Sequence, residues 1–149
     1  MPRLYIVDTN VVISGVLSAE RGTPPSLILT AMVDGHMAFL LSAELLAEYR
    51  RVLLRPAIVA RHGLDARQVD SLIATLATTG YLRQPSADAA DGEADPAPDC
   101  PAGDEHVRRL LAHEPWSVLV SGDIELVRSL RGWRQTLSPA DAVTELALG

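Results

Sequence analysis

The sequence predicts an α/β fold in which a parallel sheet is covered by helices on both faces. Two observations carry that reading. Short apolar runs end abruptly on polar residues: run 4–7 stops at Asp8, run 37–41 at Ser42, and run 117–120 at Ser121-Gly122-Asp123. Runs of this kind are strands buried on both faces, as parallel strands are. Segments of helical periodicity fill the intervals, and such alternation builds βαβ units.

Taken in order, run 4–7 is the first strand. Segment 24–33 follows as a helix with Leu27, Ile28, Ala31 and Met32 on one side, its Pro24 and Pro25 suited to a first turn. After the strand at 37–41, segment 42–54 opens on a capping Ser42 and gathers Leu45, Leu46, Tyr49, Val52 and Leu53 on one arc. Segment 66–78 repeats the pattern with Val69, Leu72, Ile73, Leu76 and Ala77, and segment 105–113 with Val107, Leu110 and Leu111. A strand at 117–120, a short helix at 124–130 and a weaker strand at 135–137 come next. A helix at 139–148 closes the chain, with Ser138 as cap and Pro139 in the first turn. Segment 85–103 breaks the pattern: Asp88, Asp91, Glu93, Asp95 and Asp99 stand among four prolines and six alanines with no basic residue. Too little apolar surface is available there to offset ordering, so a mobile acidic loop is expected within one domain spanning 1–149.

Composition narrows the function classes. The 149 residues are 48% hydrophobic and 21% charged, an ordinary globular balance, and the formal charge of −6 argues against coating nucleic acid by bulk attraction. All 13 basic residues are Arg, which removes P-loop and Schiff-base chemistry. The single Cys100 excludes an internal disulfide framework, and His36, His62, His106 and His113 lack zinc-ligand spacing. No signal-peptide core and no apolar stretch of about 18 residues stands in the sequence, so a cytoplasmic protein is expected. Trp116 and Trp133, just before strands, are expected to pack rather than stack on bases.

Ligands of parallel sheets sit beyond the carboxyl ends of the strands, where Asp8 (in Val-Asp-Thr-Asn) and Asp123 (in Val-Ser-Gly-Asp) both fall. Taken alone, either residue reads more readily as a helix cap than as a ligand. Together they favour a shared site, because carboxylates held close repel unless a cation joins them. Glu48 lies at the edge of the apolar arc of 42–54, nearer the core than Glu44; it also stands three residues before Arg51 and seven before Arg55, at ion-pair spacing. Asp104 and Glu105 open a helix, where the macrodipole alone favours acids, and Glu125 follows Asp123 closely. A site of carboxylates without a His or Cys cluster specifies a hard cation such as Mg²⁺ or Mn²⁺, suited to phosphoryl chemistry.

Four stretches in order, Ile-Val-Asp-Thr-Asn-Val-Val-Ile-Ser-Gly (6–15), Leu-Ser-Ala-Glu-Leu-Leu-Ala-Glu-Tyr-Arg (41–50), Gly-Asp-Glu-His-Val (103–107) and Leu-Val-Ser-Gly-Asp (119–123), resemble the PIN-domain nucleases, nearest to the bacterial toxins of toxin–antitoxin pairs. The resemblance implies a three-layer α/β/α sandwich and an acidic cluster for Mg²⁺ or Mn²⁺ that cleaves RNA endonucleolytically. It further implies a homodimer and an antitoxin partner. Matched position by position, it makes Asp8, Glu48, Asp104 and Asp123 the metal-binding, catalytic acids, with Asn10 and Ser121 in support. Many relatives carry Asp-Pro-Asp-Asp before the third acid; Cys-Pro-Ala-Gly-Asp (100–104) stands here and thins the charge. Arg50, Arg51 and Arg55 are candidates for local positive charge toward phosphates, the alternative being that they pair with neighbouring acids. A non-cleaving module that binds protein or RNA is the alternative. A dehalogenase-type phosphatase is excluded by Asn10, where a second Asp is needed, and by the absence of Lys.

Overall fold

A computed structural model describes residues 3–84 and 103–148. The expected acidic loop 85–103, with Cys100, lies outside the described residues except for Gly103.

Five short parallel strands form the middle layer: β1 (Tyr5–Val7), β2 (Leu40–Leu41), β3 (Tyr81–Leu82), β4 (Val118–Val120) and β5 (Thr136–Leu137). β1 pairs with β4 and β4 with β5, while β2 pairs with β3. A single parallel bridge between Tyr5 and Phe39, with Tyr5 N–H donating to Ala38 O at 3.0 Å, links the two groups and gives the order β3-β2-β1-β4-β5. β1, β2 and β4 are buried throughout, which is why they read as continuous apolar runs. β3 was not expected from the sequence: both its residues are half exposed, so no apolar run marks it.

Eight helices among the described residues complete the three-layer α/β/α fold: α1 (Thr9–Leu17), α2 (Pro24–Asp34), α3 (Ala43–Leu53), α4 (Pro56–His62), α5 (Ala66–Thr79), α6 (Glu105–His113), α7 (Ile124–Leu130) and α8 (Pro139–Leu146). The capping residues act as expected: Ser42 Oγ accepts from Leu45 N–H and Ser138 Oγ from Asp141 N–H, each at 3.1 Å. One core joins the strands to the inner faces of most helices through Phe39, Tyr49, Ile28 and Leu110, among others. A smaller cluster of Ile13, Leu53 and Val69 ties α1, α3 and α5 beneath α4.

α1 and α4 are additions to the expected elements. α1 begins on the β-branched run Val11-Val12-Ile13, which lowers helix propensity, yet it is buried along most of its length and held by packing. α1 meets α2 closely at Gly15, where a Cβ would stand 2.7 Å from Pro25 O and 2.9 Å from Leu29 Cβ. α4 buries no residue fully, so periodicity gave no sign of it. Its ends are nonetheless marked by Pro56 in the first turn and Gly63 at φ 70°. No helix among the described residues is long and apolar enough to cross a membrane.

Candidate active site

From the central strand β1 the neighbours diverge, β2 to one side and β4 to the other. This is the topological switch point at which open α/β sheets take ligands. The register Val7 with Val120, continued by Asp8 N–H donating to Val120 O at 2.9 Å, sets Asp8 beside Ser121 at the carboxyl end of the sheet. Asp8 is only 5% exposed, a carboxylate inside the protein. Its Oδ1 accepts from Thr9 N–H at 2.9 Å; its Oδ2 accepts from Ser121 Oγ at 2.7 Å and Asn10 Nδ2 at 3.0 Å. Asn10 Oδ1 in turn accepts from Gly122 N–H at 3.2 Å, and Ser121 Oγ from Asp123 N–H at 3.0 Å. The β1 and β4 ends are thus laced together by the polar residues that end the two strands. Burial pushes the Asp8 carboxyl up, hydrogen bonds from Ser121 and Thr9 pull it down, and Glu48 and Asp123 push it up again.

Asp123 caps α7, with Oδ1 accepting from Glu125 N–H at 3.0 Å and Leu126 N–H at 3.2 Å. Capping and a place in the site are not exclusive: the cap fixes where the carboxylate stands. On α3, the buried Tyr49 hydroxyl donates to Val7 O and anchors the helix against the end of β1. The preceding residue, Glu48, is thereby held near Asp8 and accepts a hydrogen bond from Thr9 Oγ1. Arg51 Nη2 lies 3.5 Å from Glu48 Oε1, and His106 Nε2 lies 3.2 Å from Oε2 without the geometry of a hydrogen bond. Glu44, one turn earlier, is bound instead by Arg109 at 2.5 Å. Asp104 enters at the start of α6 with no cap bond from its side chain. Its carboxyl is pushed up to about 6, first by partial burial and then by Asp8, Asp123, Glu48 and Glu105.

These four carboxylates and Asn10 line a cleft of about 450 Å³, and Ser121 holds Asp8 from the neighbouring strand end. The same cleft is lined by Ile13, Leu17, Val52 and Ile58 and by Arg55 and Arg61.

A family model described as PIN domain matches residues 5–125, which include all four acids. The chain belongs to the PIN-domain family. No curated protein matches it. The PIN domain is a nuclease fold, so this chain carries the architecture of a hydrolase that acts on nucleic acid.

In this PIN domain the donor set fits a hard divalent cation: four carboxylates face one cleft, and two of them are pushed upward, first by burial and then by the neighbouring acids whose charge such a cation offsets. The cleft is nevertheless not a finished coordination shell. Among the described residues no three His, Cys, Asp or Glu side chains are already gathered at metal-ligand spacing. Glu48 is engaged by Thr9 and Asp123 by the α7 backbone, so ion binding requires side-chain movement.

Several expectations are corrected. Arg50 is bound to Asp70 at 2.6 Å, and Arg51 stands by Glu48, so of the three expected arginines Arg55 is the one lining the cleft. Arg61, on the unexpected α4, joins it. Trp116 is 90% exposed and does not pack, whereas Trp133 packs on the core with Arg134 over its ring at 4.1 Å. Thr9 and Tyr49, which position Glu48, went unassigned in the sequence. Thr9 stands inside the Val-Asp-Thr-Asn motif and Tyr49 beside Glu48, but only the tertiary contacts reveal their roles.

Proposed function

We propose that this PIN domain is a metal-dependent endoribonuclease that hydrolyses RNA phosphodiester bonds. One observation carries the reading: Asp8, Glu48, Asp104 and Asp123 line a single cleft at the switch point of the sheet. Asp8 and Asp123 are the main ligands proposed for Mg²⁺ or Mn²⁺, with Glu48 and Asp104 completing the set directly or through water. Bound there, the ion supplies Lewis acidity toward a phosphoryl oxygen and makes water a nucleophile at neutral pH.

The chain's own residues do the rest. Ser121, Asn10 and the Thr9 N–H hold the Asp8 carboxylate in one orientation, and all three hydrogen bonds favour its charged form. The α7 cap holds Asp123, and Thr9 Oγ1 holds Glu48. Hydrolysis forms a P–O bond from water as a P–O ester bond breaks. The likeness of the four motifs to bacterial PIN toxins supports a role as the toxin of a toxin–antitoxin pair, a homodimer in the cytoplasm restrained by an antitoxin.

The purified chain is expected to cleave single-stranded RNA with Mn²⁺ or Mg²⁺ and to lose that activity in excess chelator and as Asp8→Asn. Cleavage that persists in chelator contradicts the reading. A second reading, a PIN domain that binds protein or RNA without cutting, is favoured by the unassembled ligand set. It predicts no metal-dependent cleavage, with partner binding unchanged in Asp8→Asn.

A further inference from the structure

We infer that His106 is a positioning residue for Glu48: in its Nε2–H tautomer it donates to the Glu48 carboxylate from outside the cleft and holds it turned toward a bound divalent cation. The inference rests on the metal-dependent reading of the four acids and adds a residue that does not line their cleft.

The imidazole has no partner where one is expected. Both ring nitrogens are buried, and among the described residues neither has a hydrogen-bond partner. A neutral imidazole carries one donor and one acceptor, and buried groups of either kind are nearly always paired. His62 shows the usual case: its Nε2 lies 2.8 Å from Leu53 O, and its Nδ1 accepts from Leu64 N–H at 2.8 Å. For His106 an acceptor stands close by instead, with Nε2 3.2 Å from Glu48 Oε2 and the two side chains only 12% and 17% exposed. The separation already suits a hydrogen bond and the angle does not, so a small turn of either side chain completes it.

Glu48 is the side chain that has to turn. It stands between the cleft and a second hollow of about 410 Å³, which Glu44, Arg51 and His106 also line. Thr9 Oγ1, from the cleft side, donates to its Oε2. A carboxylate turned to a cation in the cleft leaves Thr9 and needs a donor at its back, as ligating carboxylates generally have. Arg51, 3.5 Å from Oε1, is 64% exposed and screened by solvent. His106 is better fixed. Val107, Leu110 and Leu111 bury α6 in the core, and Arg109 binds Glu44 at 2.5 Å, about one turn from Glu48 and His106 on their own helices. The ring lines the second hollow and not the cleft, so it acts through Glu48 rather than on substrate.

The test reads Mn²⁺ affinity by calorimetric titration, beside metal-free stability in urea, for the wild type and for His106→Gln, His106→Asn and His106→Leu. Gln carries an amide nitrogen about where Nε2 stands, Asn stops short of Glu48, and Leu fills the space without a donor. His106→Gln is expected to bind within roughly threefold of the wild type, whereas His106→Asn and His106→Leu weaken binding about 10-fold or more. His106→Leu should nonetheless be at least as stable as the wild type without metal, because it removes two unpaired nitrogens from the interior. In a Glu48→Gln background, His106→Leu is expected to leave Mn²⁺ affinity unchanged. Wild-type affinity in His106→Asn overturns the role alone, as does a loss in His106→Gln equal to that in His106→Asn. A loss that persists undiminished in the Glu48→Gln background also overturns it. No Mn²⁺ binding by the wild type overturns the metal-dependent reading of the four acids, and this role with it.

Discussion

Asp104 has the least support of the four acids: its side chain caps nothing, and four carboxylates press on it. A carboxyl raised to about 6 in the folded protein, against 3.8 when free, binds its proton more tightly when folded. Its contribution therefore favours the folded state as pH falls from about 6 toward 3.8 and is lost as pH rises through about 6. Asp104→Asn is accordingly expected to raise the Tm of metal-free protein at pH 7.5, with the gain shrinking below pH 6. Melting curves of both proteins across that range check it. Tyr49→Phe leaves Val7 O without its buried donor and is expected to cost about 1–3 kcal/mol. Because Tyr49 also seats Glu48, cleavage should fall beyond what unfolding explains, as measured by urea titration beside initial rates. At this scale Asp8 and Asp123 were legible because each ends an apolar strand, a purely local pattern. Arg61 was not, because its place in the cleft depends on how α4 folds back against α3.

Among the elements, the contact between α1 and α2 is the most exacting. Gly15→Ala improves intrinsic helix propensity, yet its methyl group has to displace the Pro25 carbonyl at 2.7 Å. A net loss of about 1–3 kcal/mol is expected, read from the shift of the urea midpoint. Since α1 carries Asn10 and Ile13 on the cleft wall, the displacement should also reduce activity. The helices read correctly from the sequence, such as α3 and α6, bury one apolar stripe each, and that stripe is what periodicity detects. α1 is apolar on too many sides and α4 on too few, so neither produced the pattern. β3 is two exposed residues whose pairing with β2 was set by the sheet rather than by its own composition.

At the scale of the whole molecule, the strand order and the helices between the strands bring residues 8, 48, 104 and 123 to one cleft. Alternation of strands and helices predicted a parallel sheet but not its order, since a two-residue strand and a single bridge carry no sequence signature. An acidic chain with four carboxylates in one cleft should be stabilised by the ion that neutralises them. At 100 times its Kd, a ligand bound only to the folded state adds about 2.7 kcal/mol. Mn²⁺ is therefore expected to raise the Tm of the wild type at pH 7.5 and to leave that of Asp8→Asn nearly unmoved. Calorimetric titration of Mn²⁺ into metal-free wild type, Asp8→Asn and Asp123→Asn is the most direct test of a shared cation site. Saturable binding to the wild type that is lost in both variants is the predicted result; absent binding, or equal affinity in all three, contradicts it.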